Sequence, residues 1–314
     1  MYSVSRYVAL VCIFVLCVSN LLAVKFGSAE FSDPAKVAQK YVQSKLGELS
    51  KNNVKSVIIT DCAGAFTISK TTSPGAWESA DLSVYKKQEK TITTSTPFNQ
   101  EFIAYESTRV YEAVKAMLEK AGFEVLPMEA YTSHEIYQQM SKFMESSDVD
   151  TQRKNSYLMQ SQSSRTLKVP AYGLRLYPDN IMSMLKIQPI VMNKGKILVD
   201  NNAQAFVRIG YGVDSSSSSK PILQGFSIEF DTGIKSYATG KKDKDGNKEF
   251  VHQTTKSGFV SLKAGQTLNY QKDVLSSSKY LDPTAFDAAL MEMVNSLMPA
   301  FETTLKGEVS KYMQ

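Results

Sequence analysis

The sequence predicts an α+β protein: a mixed, mainly antiparallel sheet covered by amphipathic helices, with long β-hairpins and a C-terminal helix. Three stretches carry that expectation. In Ala104–Tyr137, Val110, Val114, Met117 and Leu118 give a helix one apolar face, Gly122 stops it, and a short apolar run ends at Pro127. In Ala203–Phe230, apolar residues alternate with polar ones on both sides of the Asp214–Lys220 loop, the pattern of a half-buried hairpin. In the final stretch, Phe286, Leu290, Met293, Val294, Leu297 and Phe301 recur at helical spacing behind an Asp282-Pro283 start.

The chain opens with Arg6 and an apolar run from Tyr7 towards Val24, followed by the small residues Gly27-Ser28-Ala29. Residues 1–29 read as a signal peptide cleaved after Ala29. The competing expectation is an uncleaved N-terminal membrane anchor, since Tyr7–Val24 has about the length of a short span. Cys12 and Cys17 fall in this segment, leaving Cys62 alone in the exported chain, so no internal disulfide is expected there. A lipid anchor on Cys17 is disfavoured because Leu16, just before it, is not small. Residues 30–314 are expected to form a single α+β domain of the periplasm or cell surface, with helices on one side of its sheet.

Composition narrows the function. The chain is 43% hydrophobic and 21% charged, with a formal net charge of +5. Discounting Arg6 and Lys25 leaves +3 (5 − 2), spread without the basic stripe of a nucleic-acid binder. No nucleic-acid partner is expected.

Asp33-Pro34 starts a helix that the spacing of Val37, Tyr41, Val42, Leu46 and Leu49 extends towards Asn52. Val54–Thr60 then reads as a buried strand, ending in a possible ligand loop at Asp61-Cys62-Ala63-Gly64. Residues 69–98 form a polar excursion, read as a hairpin of Asp81–Glu89 and Thr91–Thr96 with Trp77 and Tyr85 as anchors. Thr132 and Glu135 suggest a capping box for a helix over Ser133–Met144. Residues 146–165 lose periodicity and read as a flexible linker. Leu174–Tyr177, Gln188–Met192 and Ile197–Val199 are candidate strands, the last two joined by a turn at Asn193–Lys196. Two more strands are expected over Ile234–Leu262, and a kink at Pro299.

No sequence motif names a reaction, and no catalytic, cofactor or metal residue is assigned. A nucleophilic Cys62 needs a base, but the only histidines, His134 and His252, lie far away in sequence and in no catalytic signature. Asp243–Glu249 has its Gly at the fourth position, not the sixth of a calcium loop, and reads as a hairpin turn. Gly210-Tyr211-Gly212 lies within a strand, not at a helix start, so it is no dinucleotide fingerprint.

The order of elements resembles a known family. VKSVIIT, the phrase LEKAGFEVLP and the helix YTSHEIYQQM, followed by antiparallel strands and a final helix, look like a periplasmic α/β domain. That domain is shared by the curli-secretion-channel family and the amino-terminal domain of the Tol–Pal translocation protein. The resemblance covers Val54–Met144 and Ala203–Phe301. It implies a non-enzymatic binding or scaffolding role in the bacterial envelope, with another envelope protein as partner. Two alternatives from other classes stand beside it: a hydrolase using the Asp61-Cys62 loop, and a pore-forming subunit using the 203–230 hairpin.

Overall fold

The computed structural model describes residues 23–25, 29–73, 90–93, 98–145, 149–157, 160–177, 181–214, 220–242, 246–275 and 281–310. In chain order the elements are β1 (Ala23–Lys25), α1 (Pro34–Tyr41), β2 (Val42–Lys45), α2 (Gly47–Lys51), β3 (Ser56–Ser73), β4 (Lys90–Thr93), α3 (Gln100–Lys120), β5 (Glu124–Val125), α4 (Glu129–Thr132), α5 (Glu135–Ser141), β6 (Val149–Tyr157), β7 (Gln160–Pro170), α6 (Ile181–Val191), α7 (Gly195–Asp200), β8 (Ala205–Asp214), β9 (Ile222–Lys242), β10 (Lys248–Leu262), β11 (Thr267–Asn269) and α8 (Pro283–Ser310). This is the expected α+β class.

The sheet runs β1-β11-β9-β8-β3-β7-β6, with β10 on β9 and β2, and β4 and β5 on β3. Most neighbours are antiparallel, but β3 and β8 at the centre are parallel, from Val57↔Ala205 to Thr67↔Asp214. Parallel central strands are buried on both faces, and Val57, Ile58 and Ile59 are fully so. Helices accordingly cover both sides of the sheet, not the one side expected. Phe66 and Phe226 meet Phe286 and Phe301 of α8 at 6.4 and 5.7 Å between ring centroids. On the other side Phe206 meets Tyr131 of α4 at 6.1 Å. One continuous core reaches from Val37 to Leu305.

The long helices form where their local signals predict. Asp33 caps α1 by accepting from Ala35 N and Lys36 N at 3.1 and 3.2 Å. Asn99 caps α3 through Phe102 N at 2.8 Å, and Gly122 ends the turn after it with φ +97°. Asp282 Oδ1 accepts from Thr284 N and Ala285 N to start α8, which runs on through Pro299. The 203–230 hairpin is present as β8 and the first part of β9.

Several expectations are corrected. The single helix over 34–51 is broken, because Val42–Lys45 leaves it to pair with Phe259–Leu262 of β10. Asp61-Cys62-Ala63-Gly64 is no loop: β3 continues through it for nine further residues, held by β7 and β8. The capping box does not form. Thr132 Oγ1 donates back to Met128 O, and His134 Nδ1 caps α5 by accepting from Ile136 N at 3.1 Å.

The region expected to be a linker, 146–165, carries β6 and most of β7, paired from Val149↔Lys168 to Tyr157↔Gln160. Backbone hydrogen bonds make that ladder without needing an apolar pattern. In the polar excursion, Ser69–Thr72 pairs with Lys90–Thr93. The proposed strand Asp81–Glu89 and the anchors Trp77 and Tyr85 lie outside the described residues, as do residues 1–22 of the stretch read as a signal peptide. Ala23–Lys25 of that stretch, by contrast, form β1 and pair with Thr267–Asn269. Leu174–Tyr177 makes only a bridge, Leu176 to Glu145. Gln188–Val191 and Ile197–Val199 are helical, within α6 and α7, where short apolar runs do not distinguish helix from strand.

Candidate binding face

The residues singled out for chemistry in the sequence are held in structural roles. Cys62 is fully buried, and its Sγ lies 3.3 Å from Ser107 O on α3. Burial, and then the neighbouring Asp61, push its thiol well above the usual range, opposite to what a nucleophile needs. Neither histidine is near it. His134 caps α5 and lies 3.0 Å from Asp200 through Nε2, while His252 Nδ1 is 2.9 Å from Ser236 Oγ.

Asp61 points to the opposite side of the sheet from Cys62, into a charged seam between the sheet and the α4–α7 layer. Burial raises its pKa, opposed by Lys168, Arg208 and Lys194. Arg208 Nη2 holds Glu229 at 3.0 Å and Asp231 at 3.3 Å. Lys194 Nζ lies 3.9 Å from Asp231 and 4.4 Å above the Phe206 ring. Cations and carboxylates alternate in the seam, yet Asp61 Oδ1 and Arg208 Nε are buried there with no hydrogen-bond partner.

A second carboxyl pair joins α3 to α8. Glu106 is fully buried, and burial followed by the Asp287 charge raises its pKa to about 8 against the opposing Arg109. Neither Glu106 oxygen has a partner at hydrogen-bonding geometry, so Asp287 acts on it chiefly as a like charge. Arg109 pairs with Asp287 directly. Glu106 is sealed while Arg109 and Asp287 are partly exposed, and the Arg109–Asp287 ion pair ties the two helices together.

A shallow groove beside α3 is lined by Glu101, Ala104, Val169, Pro170 and Tyr172. Tyr172 closes much of its polar capacity internally, donating through OH to Glu101 O and through N to Thr108 Oγ1. Among the described residues, no three His, Cys, Asp or Glu side chains are placed to hold a metal. The flanks of the Asp243–Glu249 turn are strands, and Gly246 has φ +81°.

The unusual surface is elsewhere. The helix α6 buries only Ile187. Ile181, Met182, Met184 and Leu185 are 73, 67, 48 and 63% exposed, a run of apolar side chains that a helix of a monomer normally turns inward. Just beyond α6, Met192 shares an apolar groove with Tyr237, Ala238, Thr239, Val251 and Gln253 of β9 and β10. There the two strands form an arm, exposed from Lys235 to Lys242 and from Lys248 to Phe250. Its Tyr237 and Phe250 are about half exposed. The arm is fixed to the α6–α7 turn by His252 N donating to Asn193 Oδ1 at 2.9 Å. Sequence reasoning missed this face, since IMSMLKIQPIV has no period that separates buried from exposed apolar residues.

The hairpin read as a potential membrane pair turns its alternating apolar side inward. Ala205, Val207, Ile209, Tyr211 and Val213 are all buried, towards α3 and α8. Among the described residues, no helix is long and apolar enough to cross a membrane.

No family model matches this chain, and neither does any curated protein or solved structure.

Proposed function

We propose that the chain is an exported, non-enzymatic binding or scaffolding protein of the bacterial cell envelope, acting through the α6 face and the adjoining β9–β10 arm. One observation carries this reading: four apolar side chains within the first turns of α6, Ile181, Met182, Met184 and Leu185, stand in solvent. An exposed patch of that kind is costly in an isolated protein and marks a surface that is covered when the protein works. The resemblance of VKSVIIT and LEKAGFEVLP to envelope binding domains agrees with it, and residues 1–29 supply the export signal.

The test is a photoreactive residue at position 185 in producing cells, compared with one at Glu119, an exposed site on α3. Leu185 is expected to give a discrete adduct, with protein or lipid, that Glu119 does not. Equal labelling from both sites, with the protein intact, ends the reading. Fractionation of the same cells tests export separately: retention of the chain in the cytoplasm removes the envelope assignment.

A further inference from the structure

The chemistry of the face says what covers it. We infer that α6 and the exposed part of the β9–β10 arm, Lys235–Lys242 and Lys248–Phe250, rest on an anionic lipid bilayer surface; this rests on the binding reading above and names its partner. A protein-binding core is usually concave or flat, with aromatic and Arg anchors and hydrogen bonds that fix register. The α6 helix offers the reverse: a convex ridge of Ile181, Met182, Met184 and Leu185, with Ser183, Lys186 and Gln188 as its only polar side chains. Unbranched Met and Leu adapt to irregular apolar surroundings such as acyl chains. Tyr237, half exposed on the arm face that carries Val251 and meets Met192, is an amphipathic aromatic of the kind that settles at a membrane interface, whereas Phe250 lies on the opposite face of the arm.

Charge points the same way. Residues 181–196 contain three lysines and no acid, but Lys194 is buried beside Asp231 and Lys196 pairs with Glu135 and Asp200, so Lys186 is what α6 presents. Residues 235–249 contain five lysines and three acids. Of these, Lys186, Lys235, Lys241, Lys242 and Lys248 are exposed. Lysines around an apolar ridge match a surface of anionic headgroups, to which each adds attraction that salt weakens. Helix α6 would lie in the interface with its ridge at the headgroup–acyl boundary.

The experiment is flotation of the full chain with vesicles of phosphatidylglycerol and phosphatidylethanolamine, against vesicles of phosphatidylcholine alone. Because the N-terminal segment is present in every sample, the readout is the difference between wild type and variants. Met182→Glu with Leu185→Glu, both at exposed sites, is expected to lower partitioning onto anionic vesicles at least tenfold with an unchanged circular dichroism spectrum. Lys241→Glu with Lys242→Glu is expected to lower it several-fold on anionic vesicles only, and raising salt should weaken the wild type. Equal flotation of wild type and the Met182/Leu185 variant overturns the inference. If flotation is equal while position 185 still crosslinks to a protein, the face is a protein-docking site and only the lipid assignment falls. If position 185 also yields no adduct, both readings fall.

Discussion

Ser107 and Tyr211, far apart in sequence, meet with Oγ and OH 3.3 Å apart in the middle of the core. The same Ser107 Oγ accepts from Gly64 N at 3.2 Å and donates to Val169 O at 2.9 Å. One hydroxyl on α3 thereby serves three neighbouring strands, β3, β7 and β8. Ser107→Ala leaves these buried groups without that partner, and each orphan costs about 1–3 kcal/mol. The expected loss is on the order of 2–4 kcal/mol in urea unfolding; a loss below about 0.5 kcal/mol refutes the staple.

Glu106 predicts a pH dependence of definite sign. Its carboxyl titrates near 4.5 when unfolded and near 8 when folded, so between those values the folded state holds the extra proton. Stability therefore falls as pH rises from about 4.5 to 8, by a few kcal/mol at most, and this contribution is flat above. Glu106→Gln keeps the shape and cannot ionise. Its melting temperature relative to wild type should rise across that window, and a constant difference contradicts the assignment.

Gly195 begins α7 because nothing larger fits there. A Cβ at that position would sit 2.5 Å from His252 O on β10. Gly195→Ala should cost about 1–3 kcal/mol through overpacking and loosen the α6–α7 turn from the arm. Faster amide exchange at His252, whose N–H donates to Asn193, is the specific signature. Unchanged exchange with lowered stability places the strain elsewhere.

Cys62 should be inert until the protein unfolds. Its thiol is fully buried and held high by burial. Alkylation mapped to the Cys62 peptide is expected to be negligible in native buffer and complete in denaturant. Rapid native labelling would reopen the thiol as a reactive group.

How far the sequence reaches differs from element to element. Helices α3 and α8 are legible because cap, apolar stripe and partner spacing are all local, as at Asn99 and Asp282. Strands β8 and β9 are legible because one face is buried and the alternation survives. Strand β2 is not, since Val42 sits within helical spacing and only its pairing with Leu262 makes it extended. Asp61 stands out in the sequence as possible chemistry, yet its surroundings, Lys168, Arg208 and Lys194, come from three separate segments that no local pattern brings together. The α6 face was hidden for a different reason: apolar residues read as core wherever they occur.

The parallel pairing of β3 with β8 also governs when this protein can fold. Val57 must find Ala205, almost half the chain away, before the middle of the sheet exists. Closing so long a loop is slow, and no earlier strand substitutes for it. During synthesis the edge of Val57–Ile59 that faces β8 therefore waits unpaired until residue 207 has emerged, while β5 can pair with the other edge earlier. That interval is when a holding chaperone has most to gain from this chain.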